Sequence, residues 1–310
     1  MTELYKVLFE MAVTIVLGVI IRKKRLLDER THSTFTEILL NAILPFAILS
    51  SSQYEYSYET LKGIIAVAGA AFLYYLCTLI ALRLITSKSK LEDSEKRVFV
   101  TLAVFANTGF VGIPLMQGLL GARGLLLAAT YNLVYNIFFY TYGIHLISKK
   151  RHTPIQIIFN PVSVASVASL ILFVIPWRMP QFITHTLHTI GDMNIPLSMI
   201  LLGSTLATVD VKKLFADLKS YIVAILRLAV FPLIMLLAVL IVRRFVVISP
   251  ETMITLVLMT ALPSGTMNVI YSEKHNCAPK FTARTVVLTL ILMAISLPLL
   301  MALCIKLFMQ

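Results

Sequence analysis

Two short interruptions, rich in glycine, proline and small polar residues, lie within long apolar segments of this chain. The residues that stand out in them are Asn107, Thr108, Gly109 and Pro114 in the first, and Pro263, Ser264, Gly265 and Asn268 in the second. Proline removes a backbone donor and clashes with the preceding turn, and glycine weakens a helix. The N-terminal end of a half-helix exposes N–H groups and about half a positive charge. This pattern therefore predicts non-covalent binding of an anion, such as a carboxylate, without a Lys or Arg.

Both interruptions lie within apolar segments that are expected to cross a membrane, and this location limits what they can be. Inside a bilayer, unwound backbone survives only where protein or a water-filled cavity satisfies its N–H and C=O groups. A pair of interrupted apolar segments in corresponding halves of a chain is typical of a transport site. The alternative is that Pro and Gly are simply common in membrane helices, where neighbouring helices repair a kink. The matched positions of the two interruptions favour the site.

A second group of polar residues lies in the following apolar segment. Asn132 and Asn136 are four residues apart and share one helical face, with Tyr131 and Tyr135 on an adjoining stripe. These side chains suit hydrogen bonding to a carboxylate and stacking on an apolar body. The alternative is bonding between helices by Asn, which is common in membrane bundles.

Ionisable residues within apolar segments are costly and mark candidates for function. Burial would raise the pKa of a carboxyl group, so Glu10 and Asp192 are candidates for proton coupling. The alternative is that both lie near the outer boundary and reach water. For Arg227 we expect a structural pairing with a carboxylate on another helix, and the alternative is that it attracts the anion.

The composition predicts an all-α integral membrane protein, because 58% of the residues are hydrophobic and only 14% are charged. Apolar segments of about 17 to 25 residues are long enough to cross the hydrocarbon. Ten are present, near 5–21, 34–51, 61–84, 98–120, 124–147, 156–176, 186–207, 219–242, 251–272 and 281–307.

The net charge of +12 is a topology signal, because the basic residues concentrate in alternate loops, beginning with the cluster from Arg22 to Arg25. The positive-inside rule then places both the N-terminus and the C-terminus outside. No nucleic-acid partner is expected.

No enzyme motif is present: the nucleophile elbow, the zinc-protease His pair and the phosphate-binding glycine loop are all missing. We therefore expect no catalytic residue, no cofactor and no metal site. Energy for transport would come from gradients, which indicates a secondary carrier.

Short similar motifs in the two halves of the chain indicate an internal repeat. Leu44-Pro45 resembles Ile195-Pro196 at an offset of 151, and Asn107-Thr108-Gly109 corresponds to Pro263-Ser264-Gly265 at 156. We predict a first five-helix repeat at 1–147, a short cytoplasmic linker at 148–155, and a second, inverted repeat at 156–310. The two interrupted segments, the fourth and the ninth, then run in opposite directions.

The run from Asn107 through Gly112 to Leu115, together with Leu262-Pro263-Ser264-Gly265, resembles the auxin efflux carrier family, as does Ile195-Pro196. The likeness covers nearly the whole chain. Bacterial members of this family include proteins described as malate or malonate permeases, and this chain is similar to them because it lacks the long hydrophilic central loop of the plant carriers.

The resemblance implies ten helices in a five-plus-five inverted repeat, with helices 4 and 9 broken and crossing near the membrane midplane. It further implies that helices 1, 2, 6 and 7 form a scaffold that dimerises, while the other six carry substrate as an elevator. A homodimer in the plasma membrane, the inner membrane of a bacterium, in contact with lipid, is the expected state.

The function expected from these observations is secondary active transport of a small organic anion, either an auxin-like monocarboxylate or malate or malonate. The carrier would work by alternating access around the two interruptions. The alternatives are a sodium-coupled organic-anion symporter of the bile-acid-symporter type, and a passive channel or a ligand-binding membrane receptor.

Overall fold

A computed structural model describes residues 2–149, 160–175, 178–207 and 217–308 of the chain. These residues form helices and connecting turns, and the described part of the chain contains no β-strand, only one isolated bridge. The α-helices are α1 (Thr2–Lys23), α2 (Glu29–Ile38), α3 (Leu44–Ser51), α4 (Tyr58–Ser87), α5 (Asp93–Val104), α6 (Ile113–Phe138), α7 (Ile144–Ser148), α8 (Pro161–Val174), α9 (Gln181–Gly191), α10 (Asn194–Ala207), α11 (Leu218–Ile225), α12 (Phe231–Val242), α13 (Pro250–Thr260), α14 (Met267–Lys274) and α15 (Pro279–Phe308).

Within the described residues, six helical segments are long and apolar enough to cross a membrane, which makes this a multi-pass membrane protein. They are Glu29–Ser51, Tyr58–Ser87, Thr108–Ser148, Gln181–Ala207, Leu218–Val242 and Pro279–Phe308. The predicted fourth and ninth spans are not continuous, because α5 and α13 end after 12 and 11 residues. A helix needs about 20 residues to cross the hydrocarbon, so each of these is a half-span.

The described residues contain four turns of π-helix, and three of them end two residues before a proline. The three are Leu39–Ile43, Thr108–Gly112 and Leu226–Val230, and the prolines that follow are Pro45, Pro114 and Pro232. A proline ring clashes with the carbonyl group four residues before it, and a wider turn removes that clash without ending the helix. The fourth π-turn, Phe139–Gly143, has no proline after it.

Gly121 ends the first part of α6. Its φ of 60° and ψ of −145° are not helical, and glycine adopts them without the strain that a Cβ would cause. The turn lies between the predicted fourth and fifth spans, so the sequence boundary at 120–124 is confirmed.

The described residues divide into two compact units, each assembled from three stretches of the chain. The first unit lies within Met1–Ile64, Gly109–Leu133 and Ile158–Val209, and the second within Ile65–Thr108, Val134–Ile157 and Asp210–Gln310.

In the first unit, α1 and α10 pack through glycines on both helices. A Cβ built on Gly18 would lie 2.2 Å from the carbonyl oxygen of Ile200, and one built on Gly203 would lie 2.0 Å from that of Ile15. Small residues of this kind let the backbones of membrane helices approach closely. The packing of these two helices therefore depends on the absence of side chains at both positions.

In the second unit, the interior surrounds the ends of α5 and α13. Val98, Val100 and Leu102 on α5 are fully buried, as are Val257 and Leu258 on α13. This unit contains both broken helices up to their interruptions, and it holds the candidate site.

Candidate functional site

Each of the two half-helices α5 and α13 ends where its sequence no longer supports a helical turn. The residue after α5, Phe105, has φ of −93° and ψ of 103°, which is extended. After α13, Leu262 precedes Pro263, and the residue before a proline is biased away from helical geometry. Two short extended segments result, 105–107 and 262–265, which we call the crossing.

The two segments of the crossing run antiparallel and are joined by a pair of backbone hydrogen bonds. The N–H of Asn107 donates to the carbonyl of Pro263 and the N–H of Gly265 donates to the carbonyl of Phe105, both at 2.9 Å. Ala106 and Ser264 form the bridge between these bonds. Unwound backbone thus finds partners in the opposite segment, as the hydrocarbon interior requires.

Gly265 allows this close approach. A Cβ at this position would lie 2.9 Å from the carbonyl oxygen of Ala106 and 3.2 Å from that of Phe105. Gly109, its counterpart in the predicted repeat, has nothing within 4 Å of the same position. The two glycines are therefore equivalent in the sequence but not in the packing.

Two of the predicted site residues use their side chains to hold the crossing together. Ser264 Oγ donates to the carbonyl of Leu102 at 2.8 Å, and the Ser264 N–H donates to Thr289 Oγ1 at 3.1 Å. Asn268 Nδ2 donates to the carbonyls of Gly265 at 2.9 Å and Phe105 at 3.3 Å. Ser264 and Asn268 are fully buried, so they stabilise the backbone geometry of the crossing.

Arg227 donates hydrogen bonds to carbonyl groups at the end of α5 that the helix itself leaves without partners. Its Nη1 donates to the carbonyls of Ala103 at 3.1 Å and Val104 at 2.9 Å, and its Nε donates to that of Leu262 at 2.8 Å. The last carbonyls of an α-helix have no partner within the helix. Here those of Thr101 to Phe105 are all satisfied, by the Phe105 N–H, Ser264, Arg227, Gly265 and Asn268.

The expectation of a carboxylate partner for Arg227 is wrong. Its acceptors are three backbone carbonyls and the hydroxyl of Tyr74, at 2.7 Å from Nη1, and it forms no ion pair among the described residues. The physical reason is that the ends of two half-helices already present partial negative charge to the guanidinium. The sequence identified Arg227 as unusual, but no spacing rule pointed to Tyr74 or Thr289.

Aromatic rings pack around Phe105. Tyr75 stacks on it with ring centroids 5.8 Å apart, and Tyr135 and Phe139 meet it edge to face at 5.8 and 5.2 Å. Tyr135 in turn stacks on Phe139 at 5.4 Å. Such ring pairs stabilise beyond the area they bury, so the extended segment 105–107 is held on the side of α4 and α6 as well.

The predicted site residues are distributed over both units. Asn107, Thr108, Asn136, Pro263, Ser264, Gly265 and Asn268 lie in the second unit, and Gly109, Pro114 and Asn132 in the first. Asn132 and Asn136 are both buried on α6, as their spacing predicts. Substrate contact by any of these residues stays a prediction, while the structure brings Asn107, Pro263, Ser264, Gly265 and Asn268 together.

The two candidates for proton coupling, Glu10 and Asp192, lie in the first unit and are both exposed. Burial was the physical basis for that hypothesis, since desolvation is what raises the pKa of a carboxyl group. Neither carboxyl group is buried by protein, and proton coupling by Glu10 or Asp192 stays a prediction.

Several donors at the crossing have no partner among the described residues, and Nη2 of Arg227 is one of them. The side-chain amide of Asn107 makes no hydrogen bond, although the residue is only 5% exposed. The N–H of Met267, the first residue of α14, also has no acceptor in the described part of the protein. Among the described residues, the carbonyls at the end of α5 are therefore occupied while donors are left without partners, which suits an acceptor such as an anion. The buried amide oxygen of Asn268 is an acceptor that also has no partner there.

Comparison with known proteins gives a consistent result over the whole chain. A family model described as membrane transport protein matches residues 4–154 and again residues 150–301. An uncharacterized transporter of Methanothermobacter thermautotrophicus is 23% identical over 290 residues, which cover 93% of this chain and 94% of that protein.

Proposed function

Because the chain belongs to the membrane transport protein family, which includes the auxin efflux carriers that its motifs resemble, we propose that it is a secondary carrier of small organic anions. The proposed substrates are monocarboxylates of the auxin type or dicarboxylates such as malate and malonate. They would bind at the crossing and pass the membrane by alternating access.

The observation that carries this proposal is the balance of hydrogen-bond groups at the crossing. Among the described residues, donors lack partners there, whereas every carbonyl at the end of α5 has one. The start of α14 adds the positive end of a helix dipole to the Asn107 amide. A carboxylate oxygen is an acceptor with a negative charge and matches both features.

The proposed topology is that of ten membrane passages in two inverted five-helix repeats, with both termini outside and the protein in the plasma membrane. The two successive matches to one family model and the antiparallel crossing support it. In the described part of the chain, six apolar helical segments are long enough for a passage, and α5 and α13 are parts of two more.

We further propose an elevator mode and a homodimer. In this mode the helices of the second unit carry the substrate, and α1 to α3 and α8 to α10 of the first unit form the dimeric scaffold. The division of the described helices between the two units supports the proposal, because it nearly follows the grouping that the family resemblance implies.

Asn107→Ala tests the site. Because the Asn107 side chain has no partner among the residues that the structure describes, we expect the variant to keep a thermal unfolding midpoint within about 2 °C of wild type. We expect it to lose ligand-induced stabilisation by carboxylates and to show uptake lowered by about tenfold or more, since a charge-assisted hydrogen bond to the substrate is removed. Asn41→Ala, an exposed asparagine in the π-turn Leu39–Ile43, is the matched control and should behave as wild type.

The measurements are a thermal-shift screen of purified protein against mono- and dicarboxylates, followed by uptake and counterflow in proteoliposomes. Equal stabilisation and uptake by Asn107→Ala and wild type would show that the crossing is not the binding site. Non-saturable flux without counterflow would indicate a channel, ligand binding without uptake a receptor, and uptake that stops when sodium is replaced by choline a sodium-coupled symporter.

A further inference from the structure

Arg227 is the largest fully buried side chain with a permanent charge among the described residues, with an exposed fraction of 0%. It lies on the π-turn Leu226–Val230, within the apolar segment Leu218–Val242. Removing a charge from water is expensive unless it is paired and hydrogen-bonded. A guanidinium at this depth without a carboxylate partner needs another source of negative charge.

That source is the oxygen cage around the guanidinium, formed by the carbonyls of Ala103, Val104 and Leu262 and the hydroxyl of Tyr74. Ala103 and Val104 are the last residues of α5, and Leu262 follows the end of α13. The C-terminal end of a helix carries about half a negative charge, so two such ends together present about one. The single positive charge of one guanidinium balances these two helix ends.

We propose that Arg227 is the built-in counter-ion of the crossing. Its permanent positive charge cancels the negative ends of α5 and α13, and the positive end of α14 and the Asn107 amide stay without a compensating group. Arg227 is thus a positioning residue that makes the crossing selective for anions. This last step rests on the proposed function, whereas the charge balance itself does not.

The four hydrogen bonds of the guanidinium explain how a permanent cation is compatible with turnover. Nε and Nη1 are already directed at protein oxygens, and only Nη2 has no hydrogen-bond partner among the described residues. A cation whose charge is already shared with two helix ends attracts a substrate carboxylate less strongly than a free one. The substrate is admitted without being held too tightly to leave.

The test compares Arg227→Lys with Arg227→Gln. Lysine keeps the positive charge but lacks the planar set of N–H donors of a guanidinium, whereas glutamine keeps hydrogen-bond donors and loses the charge. We expect the thermal midpoint of Arg227→Gln, measured without substrate, to fall more than about 4 °C below that of Arg227→Lys. Uptake of the organic anion should be about tenfold or more lower in Arg227→Gln than in Arg227→Lys.

The matched control is Arg178→Gln, because Arg178 also donates to two carbonyls, those of Gln53 and Tyr54, but is exposed. Its loss should leave both the midpoint and the uptake close to wild type. The difference between Arg178 and Arg227 then isolates the effect of burial at the helix ends.

Each outcome decides the proposal. If Arg227→Lys folds and Arg227→Gln does not, the charge is required and the proposal stands. Equal midpoints for the two variants, or failure of both to fold, would overturn the proposal. Either result would mean that the oxygen cage requires the planar arrangement of the guanidinium N–H groups and not the positive charge. If the midpoints differ as expected but wild type moves no organic anion, the counter-ion stands and the proposed function fails.

Discussion

Gly203→Ala is expected to destabilise the protein by about 3 kcal/mol, because the added methyl group has no space. Its Cβ would lie 2.0 Å from the carbonyl oxygen and 2.9 Å from the carbonyl carbon of Ile15, and 3.0 Å from the Cα of Gly18. All three are backbone atoms, which cannot rotate away as a side chain can. The helices α1 and α10 must separate, and the contacts along both are weakened.

The measurement is thermal unfolding of the purified variant in detergent, followed by circular dichroism. Gly69→Ala is the matched control, since Gly69 lies in α4, is exposed and has nothing within 4 Å of its Cβ position. That change should be neutral or stabilise by at most about 1 kcal/mol, because alanine favours a helix over glycine. Equal midpoints for the two variants would mean that α1 and α10 do not pack through their glycines.

Gly265→Ala is expected to disrupt the crossing and to lower transport by about tenfold or more, with a loss of stability of about 1–3 kcal/mol. The new Cβ would meet the carbonyl oxygen of Ala106 at 2.9 Å and its carbonyl carbon at 3.2 Å. Relief of this contact requires the segments 105–107 and 262–265 to move apart. The two hydrogen bonds between them lengthen, so the carbonyl of Pro263 loses its partner and that of Phe105 keeps only the Asn268 amide.

The informative comparison for stability is Gly109→Ala, because the sequence sets Gly109 against Gly265. Its Cβ would enter open space, so its thermal midpoint should not fall. Thermal unfolding of both variants, together with proteoliposome uptake by Gly265→Ala, checks the prediction. A fall of the same size in both midpoints would show that helix propensity, and not close approach of the backbones, explains the glycines.

The sequence predicts the helices of this fold well, because their lengths follow from the apolar segments and from the Pro and Gly residues that interrupt or end them. The interruption after Val104, the one after Thr260 and the turn at Gly121 all occur where the residues indicate them. The division into two inverted repeats and the ten passages stay predictions. The three π-turns before prolines follow from the same steric rule, but the fourth, at Phe139–Gly143, has no such signal.

The candidate site is predicted less completely, because its roles depend on contacts between residues that are far apart in the chain. Ser264 and Asn268 look like substrate ligands in the sequence, and only the tertiary structure shows their side chains bonded to carbonyls 162 and 163 residues away. Asn107 has the same side chain as Asn268 and no partner among the described residues. Residue type alone does not distinguish an amide that holds the backbone from one that is available.

The oxygen cage of Arg227 has a consequence for a protein that lies between two compartments of different acidity. A carboxylate partner would take up a proton at low pH and release the arginine, whereas amide carbonyls have no proton equilibrium near neutrality. Among the described residues, the acceptors that hold Arg227 therefore include no carboxylate whose protonation could release it. A dependence of transport on pH would arise from other groups of the protein or from the substrate itself.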